Sequence, residues 1–270
     1  MPELPEVESA RAVVEAGALD REVAEVDDRD TWVCRPHAPG EIRAALLGRR
    51  LTAAHRRGKA MWCDTSGEDP SVLGLHLGMS GRIVVTGPDG APIEGGDLVR
   101  GRSATSADRD PAWDRFTIRF ADGGSLRLFD KRRLGRVRLD PDLSRLGPDA
   151  AAVRVAEFRE RVGRGTAPLK ARLLDQSVVA GVGNLLADEA LWQARLDPRR
   201  PANTLDHDEL TVLHRTLRAA TRAAVRRGGV HTGEVVEHRR AGAHCPRCGA
   251  EMQRATVGGR TTWFCPDEQD

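Results

Sequence analysis

Near its start the chain carries apolar side chains at Val7, Ala10, Val13 and Val14 with polar ones between, the spacing of a helix buried along one side. A helix is predicted from about Pro5 to Gly17, with Gly17 as its stop, and a second short one from Pro39 to Leu47 that ends at Gly48. Between Leu51 and Leu139 the pattern shortens to brief apolar or alternating runs punctuated by turns. These are Met61-Trp62-Cys63, Val72 to Leu77, Ile83 to Val85, Phe116 to Phe120 and Leu126 to Phe129, which together predict an antiparallel sandwich. The stretch from Thr86 to Asp110, rich in Gly, Pro, Asp and Arg, reads as a long mobile loop. Past Asp140-Pro141 helical spacing returns, through Val153 to Val162, Leu169 to Leu174, Asn184 to Gln193 and Leu205 to Arg227, until Gly228-Gly229 breaks it. The expected fold is therefore α+β, with an N-terminal antiparallel β-sandwich over residues 1–140, a helical domain over 150–229 and a small cysteine-bearing module over 240–270.

With 270 residues the chain can bury more than one core. No run approaches the roughly 18 uninterrupted apolar residues of a membrane span, and the start is acidic rather than a basic-then-apolar leader, so a cytosolic protein is expected. The formal net charge of +2 does not mark a nucleic-acid binder, and local clusters such as Lys131-Arg132-Arg133, Arg226-Arg227 and Arg239-Arg240 carry more information. Only Lys59, Lys131 and Lys170 among the 42 basic residues are lysine. A lysine can shift its pKa and pass a proton where arginine cannot, so Lys59 and Lys170 call for specific roles, while Lys131 suits the surface. Cys34 and Cys63 stand alone in apolar, strand-like segments and read as small buried residues.

Several short runs carry candidate chemistry. Removal of Met1 would leave Pro2 with a secondary α-amine, which titrates near pH ~8 and is a nucleophile at neutral pH. Glu3 and Glu6 follow within one helical turn and can move protons, although such residues also suit any helix start. Gly181 and Gly183 permit a tight turn before Asn184 opens a helix, whose outward N–H groups beside Lys170 make a phosphate grip. Arg56-Arg57-Gly58-Lys59 forms a basic turn, and two glycine-bounded loops follow at His76 to Gly81 and Asp130 to Gly135. At the C-terminus Cys245-Pro-Arg-Cys248 is followed, after sixteen intervening residues, by Cys265. Three thiolates at this spacing suit Zn²⁺; the fourth place falls to Glu268, with His244 or Asp267 as substitutes.

The opening Pro2-Glu3-Leu4-Pro5-Glu6-Val7-Glu8 and the run from Lys170 to Trp192 resemble the formamidopyrimidine-DNA glycosylase family, which shares its fold with endonuclease VIII. The resemblance touches both ends and the middle of the chain. It implies a helix-two-turn-helix domain followed by a zinc-finger-like β-hairpin, and a bifunctional glycosylase and abasic-site lyase of base excision repair. Pro2 would be the nucleophile, Glu3 the catalytic acid, and Glu6 and Lys59 would assist β,δ-elimination. His76, Lys170, Asn184 and the hairpin's Arg260 would contact DNA, with Met79, Arg132 and Leu134 filling the stack vacated by an extruded base. The partner would be damaged double-stranded DNA in the bacterial cytosol or nucleoid, met by a monomer.

Three positions depart from the family pattern: Lys131 stands for Pro and Leu134 for an aromatic in the second loop, and Glu268 for a cysteine. The interval Val230 to His244 is also short for the segment that caps a flipped 8-oxoguanine in the family, which leaves oxidised pyrimidines, ring-opened purines and bulkier adducts as open as 8-oxoguanine. Two rival readings predict other behaviour. A damage-binding relative without catalysis would form no covalent adduct, and a zinc-finger regulator would select sequence rather than lesion.

Overall fold

A computed structural model describes residues 2–97 and 110–270. The chain divides into two compact units, one of Met1–Pro2 with Glu6–Leu143 and the other of Glu3–Pro5 with Ser144–Asp270.

The first unit is built on two antiparallel sheets. Strands β1 (Val23–Asp27), β5 (Arg82–Thr86), β6 (Pro92–Gly96), β7 (Asp114–Phe120) and β8 (Ser125–Phe129) form one, in the order β1-β7-β8-β5-β6. Strands β2 (Leu51–Arg57), β3 (Ala60–Thr65), β4 (Leu73–His76) and β9 (Arg136–Leu139) form the other in the order β2-β3-β4-β9. Met61, Cys63 and Thr65 alternate inward along β3, as a half-buried strand requires. Helices α1 (Leu4–Gly17) and α2 (Glu41–Leu46) contribute Val7, Val14, Ile42 and Leu46 to the same core as Leu73, Ile83, Phe116 and Leu128.

Two expectations change here. The loop expected over Thr86 to Asp110 contains β6, which runs antiparallel to β5 from Thr86↔Pro92 to Arg82↔Gly96; residues 98–109 of that stretch lie outside the described residues. Pro92 is tolerated because it begins an edge strand. Cys34 sits in a turn rather than a strand, where the N–H groups of Val33 and Cys34 both donate to Asp30 O. Its thiol is buried, and burial pushes its pKa up to about 12, as it also does for Cys63.

The second unit is helical, with α3 (Val155–Val162), α4 (Leu169–Leu174), α5 (Asn184–Ala194) and α6 (His207–Arg227), followed by the hairpin β10 (Gln253–Val257) and β11 (Arg260–Phe264). Helix α6 starts at a capping box between Asp206 and Glu209 and stops at Gly228, whose φ of 88° favours glycine. Its inward face, Leu210, Leu213, Leu217 and Ala224, packs with Phe158, Leu169 and Leu186. Leu4 belongs to this core, and its N–H donates to Gly181 O.

Candidate active site and nucleic-acid interface

In the second unit the glycine turn before α5 is wrapped around one carboxylate. Glu3 is buried, and its Oε2 accepts from the N–H groups of Gly183 (2.9 Å) and Leu186 (3.1 Å) while Oε1 accepts from Leu185 N–H (2.8 Å). Helix N-termini favour negative charge, and here the chain's own carboxylate fills that place. The expectation that these N–H groups are free for phosphate therefore changes: Glu3 takes three of them. Gly183 is required because a Cβ there would lie 2.3 Å from Glu3 Cδ. Asn184 stands half-buried at the helix start, and its Oδ1 lacks a hydrogen-bond partner.

Lys170 departs further from expectation. Its side chain is fully buried, with Nζ 2.5 Å from Asp188 Oδ1 and donating to Thr262 Oγ1 (2.8 Å) and Thr261 O (3.3 Å). An amine so enclosed does not reach a phosphate. Burial holds its pKa below the usual lysine value, against the opposing pull of Asp188. Arg260 opens β11 beside the Gly258-Gly259 turn and is exposed, as a phosphate contact needs.

In the first unit Pro2 and Glu6 are buried. Lys59 follows Gly58 in the tight turn between β2 and β3, where Gly58 has φ 59°. Arg56 Nε, on the same hairpin, donates to Glu8 Oε2 at 2.8 Å, and Arg11 Nε donates to Glu8 Oε1 at 3.0 Å. Burial pushes the Glu8 carboxyl up, but the two guanidinium groups outweigh it and hold it below the usual carboxylate range. Helix α1 thereby fixes the turn that carries Lys59. His76 ends β4 close enough to Lys59 to feel its charge; crowding by surrounding protein first, then Lys59 and Arg138, hold the imidazole below its ordinary pKa. Its Nδ1 accepts from Gly78 N–H (3.0 Å), which leaves Nε2 as the donor.

The two expected reading loops touch. Gly78, at φ +61°, packs so tightly that a Cβ would lie 2.4 Å from the Leu134 carbonyl carbon. Met79 next to it is 37% exposed, Arg132 is exposed and Leu134 is half-buried. Buried Asp130 shapes the second loop by accepting from the N–H groups of Arg132 (3.0 Å), Leu134 (2.8 Å) and Gly135 (2.7 Å). Arg133, at φ 54°, turns back to Asp30 with contacts of 2.7 and 3.0 Å, while Lys131 Nζ lies 3.8 Å from the Trp113 ring centroid. Leu134, His76, Arg136 and Arg138 line a cavity of about 340 Å³ with Met61 and Leu75. The loops thus present an exposed apolar tip at Met79 and an exposed cation at Arg132, and Leu134 joins them to a cavity with apolar and basic walls.

Comparison with known proteins identifies this arrangement. Residues 1–137 match the formamidopyrimidine-DNA glycosylase N-terminal domain and residues 146–235 its H2TH domain. A formamidopyrimidine-DNA glycosylase of Nocardioides sp. is 35% identical over 98% of this chain and 93% of its own. One of Roseiflexus sp. is 33% identical over the whole of both. The crystal structure of Lactococcus lactis Fpg (MutM) with an oxidised-pyrimidine-containing DNA superposes with a TM-score of 0.81 at 28% identity, covering all of both chains. The chain belongs to the formamidopyrimidine-DNA glycosylase family.

For a member of the formamidopyrimidine-DNA glycosylase family, the C-terminal cysteines form an incomplete set. The sulfurs of Cys245, Cys248 and Cys265 lie within 4.8 Å of one another, close enough to hold one metal ion. Trp192 Nε1 donates to Cys245 Sγ at 3.4 Å. Although burial opposes it, this indole and the nearby backbone N–H groups lower the pKa of the Cys245 thiol, while burial raises that of its neighbour Cys265. Glu268 does not join them as the expected fourth ligand. Its Oε2 pairs instead with Arg195 (3.4 Å) and Arg247 (3.5 Å), and among the described residues neither His244 nor Asp267 joins the sulfurs. Glu268 is thus engaged in ion pairs rather than directed at the sulfurs.

Sequence reading missed Asp130, Glu8, Asp188 and Arg239, which hold the others in place. Glu8 with Arg56 and Asp188 with Arg239 (2.8 Å) are ordinary charged residues whose partners come from remote parts of the chain, so spacing gave no signal, whereas Asp130 binds N–H groups of its own loop and was passed over as one of its flanking residues. Among the described residues no helix is long and apolar enough to cross a membrane.

Proposed function

We propose that the protein is a base excision repair enzyme that removes oxidised or ring-opened bases from double-stranded DNA and then cleaves the abasic site. Freed of Met1, Pro2 attacks C1′ of the damaged nucleotide through its secondary amine, and the bond from C1′ to the base breaks. Glu3 takes up the proton that the attacking amine loses and passes it to the sugar oxygen as the ring opens, leaving an iminium between Pro2 and C1′ while the departing base is protonated by water. Loss of a C2′ proton then expels the 3′ phosphate, and a second elimination expels the 5′ phosphate, with Glu6 and Lys59 assisting the proton transfers. The observation that carries this reading is the Glu3 carboxylate fixed by three backbone N–H donors, one residue after the amine.

His76, Asn184 and Arg260 contact phosphates, while Met79, Arg132 and Leu134 fill the space left by the extruded base. Cys245, Cys248 and Cys265 would hold Zn²⁺ at the base of the hairpin, where the ion supplies a structural cross-link. The interval after α6 supports a lesion range beyond 8-oxoguanine. It is drawn into two short turns, Val230–Thr232 and Val236–His238, and tied down by Val235 N–H donating to Glu189 Oε2 at 2.9 Å.

Borohydride trapping on abasic-site DNA tests the chemistry, and the same assay over oxidised purines and pyrimidines reads the lesion range. A covalent protein–DNA adduct is expected from the wild type and none from a variant extended at its N-terminus so that Pro2 is no longer terminal. Trapping by both at equal rates, or by neither, would overturn the mechanism.

A further inference from the structure

The three-thiol cluster raises the question of what else holds the hairpin that bears Arg260. Lys170 on α4 and Asp188 on α5 form a fully buried ion pair, and the hairpin closes over it. Thr262 Oγ1 accepts from Lys170 Nζ (2.8 Å), Thr261 O accepts from the same amine (3.3 Å), and Trp263 N–H donates to Asp188 Oδ2 (3.4 Å). Arg239, from the segment that leads into the cysteines, completes the network with Nε 2.8 Å from Asp188 Oδ2 and a second nitrogen 3.4 Å from Thr261 O. Three consecutive residues of β11, immediately after Arg260, are thus gripped by one buried charge cluster. The turn itself rests on α4, since a Cβ on Gly258 would lie 3.1 Å from Ala171 Cβ.

We propose that the Lys170–Asp188–Arg239 cluster is the positioning device for Arg260, acting through Thr262, and that it keeps the hairpin in register independently of the metal. This rests on the reading that Arg260 grips a phosphate. Buried charges left partly unpaired are costly, and β11 supplies two acceptors to Lys170 Nζ and one donor to Asp188 Oδ2, so the cluster loses partners when the strand moves. The metal ligands lie elsewhere on the hairpin's path, at Cys245 and Cys248 before β10 and Cys265 after β11. A cluster that holds the strand by side chain and backbone makes a fourth metal ligand dispensable, which fits the pairing of Glu268 with arginines.

Thr262 offers a test that leaves the ion pair intact. Thr262→Val keeps shape and removes the acceptor, while Thr262→Ser keeps it. With lesion-bearing duplex, Thr262→Val is expected to raise KM about fivefold with kcat within about twofold, and Thr262→Ser to behave as wild type. Chelator treatment should raise the wild-type KM less than about threefold, and should raise that of Thr262→Val more than about tenfold, because both supports are then gone. Hydrogen exchange at the Thr262 and Trp263 amides, read without DNA, should follow the same order. Equal behaviour of the Val and Ser variants overturns the proposal, as does a chelated wild type that exchanges as fast as chelated Thr262→Val. Arg260→Ala separates the two readings. If it leaves KM unchanged, the phosphate role fails and the positioning role with it; if it raises KM while Thr262→Val does not, only the positioning role fails.

Discussion

At the scale of single residues, Glu3 and Gly183 form a hydrogen-bonded pair across 180 positions of sequence. The carboxylate needs three N–H donors at the start of α5, and the turn can bring them close only because residue 183 lacks a side chain. Gly183→Ala puts a methyl group 2.3 Å from Glu3 Cδ, closer than any relaxed contact. The carboxylate must move, at a cost of about 1–3 kcal/mol for overpacking, and excision should fall at least about a hundredfold with loss of a placed proton donor. Thermal melts and single-turnover base release check the two parts. Retention of full base release by Gly183→Ala would show that Glu3 need not be held there. Glu3 was legible in the sequence because its motif is contiguous with Pro2, whereas the identity of its partners was not. A glycine turn beside an asparagine looks like a phosphate cradle until the acid that fills it is known.

Elements were legible where their burial follows a regular period and obscure where geometry breaks it. Helix α6 announces itself through Leu210, Leu213, Leu217 and Ala224, spaced three and four apart and all buried. Strand β1 does not, because the register shifts between Val23 and Glu25, so both Val23 and Val26 face the core at a spacing that no regular strand has. Edge strand β6 carries few apolar residues, which is why its stretch reads as a loop, while the short edge strands β2 and β9 lack an apolar run that would set them apart. The two reading loops were recognised singly, but their contact was not, since it runs through backbone. Gly78 lies against the carbonyl of Leu134 and has a left-handed φ, so Gly78→Ala is strained both sterically and conformationally. A loss of about 2–4 kcal/mol is expected. If the loops act as one wedge, base release should fall with it while trapping on preformed abasic sites falls less, because that substrate has no base to extrude. Equal losses on both substrates would argue against a joint wedge.

For the molecule as a whole, the charge balance concealed the function that the local arrangement supports. A formal net charge of +2 gives little long-range attraction to DNA, and many arginines are neutralised in place, as Arg133 is by Asp30 and Arg21 by Asp122. Binding must then rest on a few cations at defined positions, and salt dependence measures how many. With Lys59, Arg132 and Arg260 as the charged contacts, log K should fall with log salt concentration at a slope of about −3, well short of what a uniformly basic protein shows. Arg260→Ala should make that slope shallower by about 0.9, the signature of one phosphate contact removed. Arg119→Ala serves as the control, because Arg119 is an exposed residue of β7 paired with Glu25 at 3.4 Å and takes no part in the proposed interface. Removing it alters net charge by the same amount, so a global charge effect would shift both slopes alike. A change confined to Arg260→Ala would instead place the electrostatics of recognition in individual contacts, and equal shifts in the two variants would count against them.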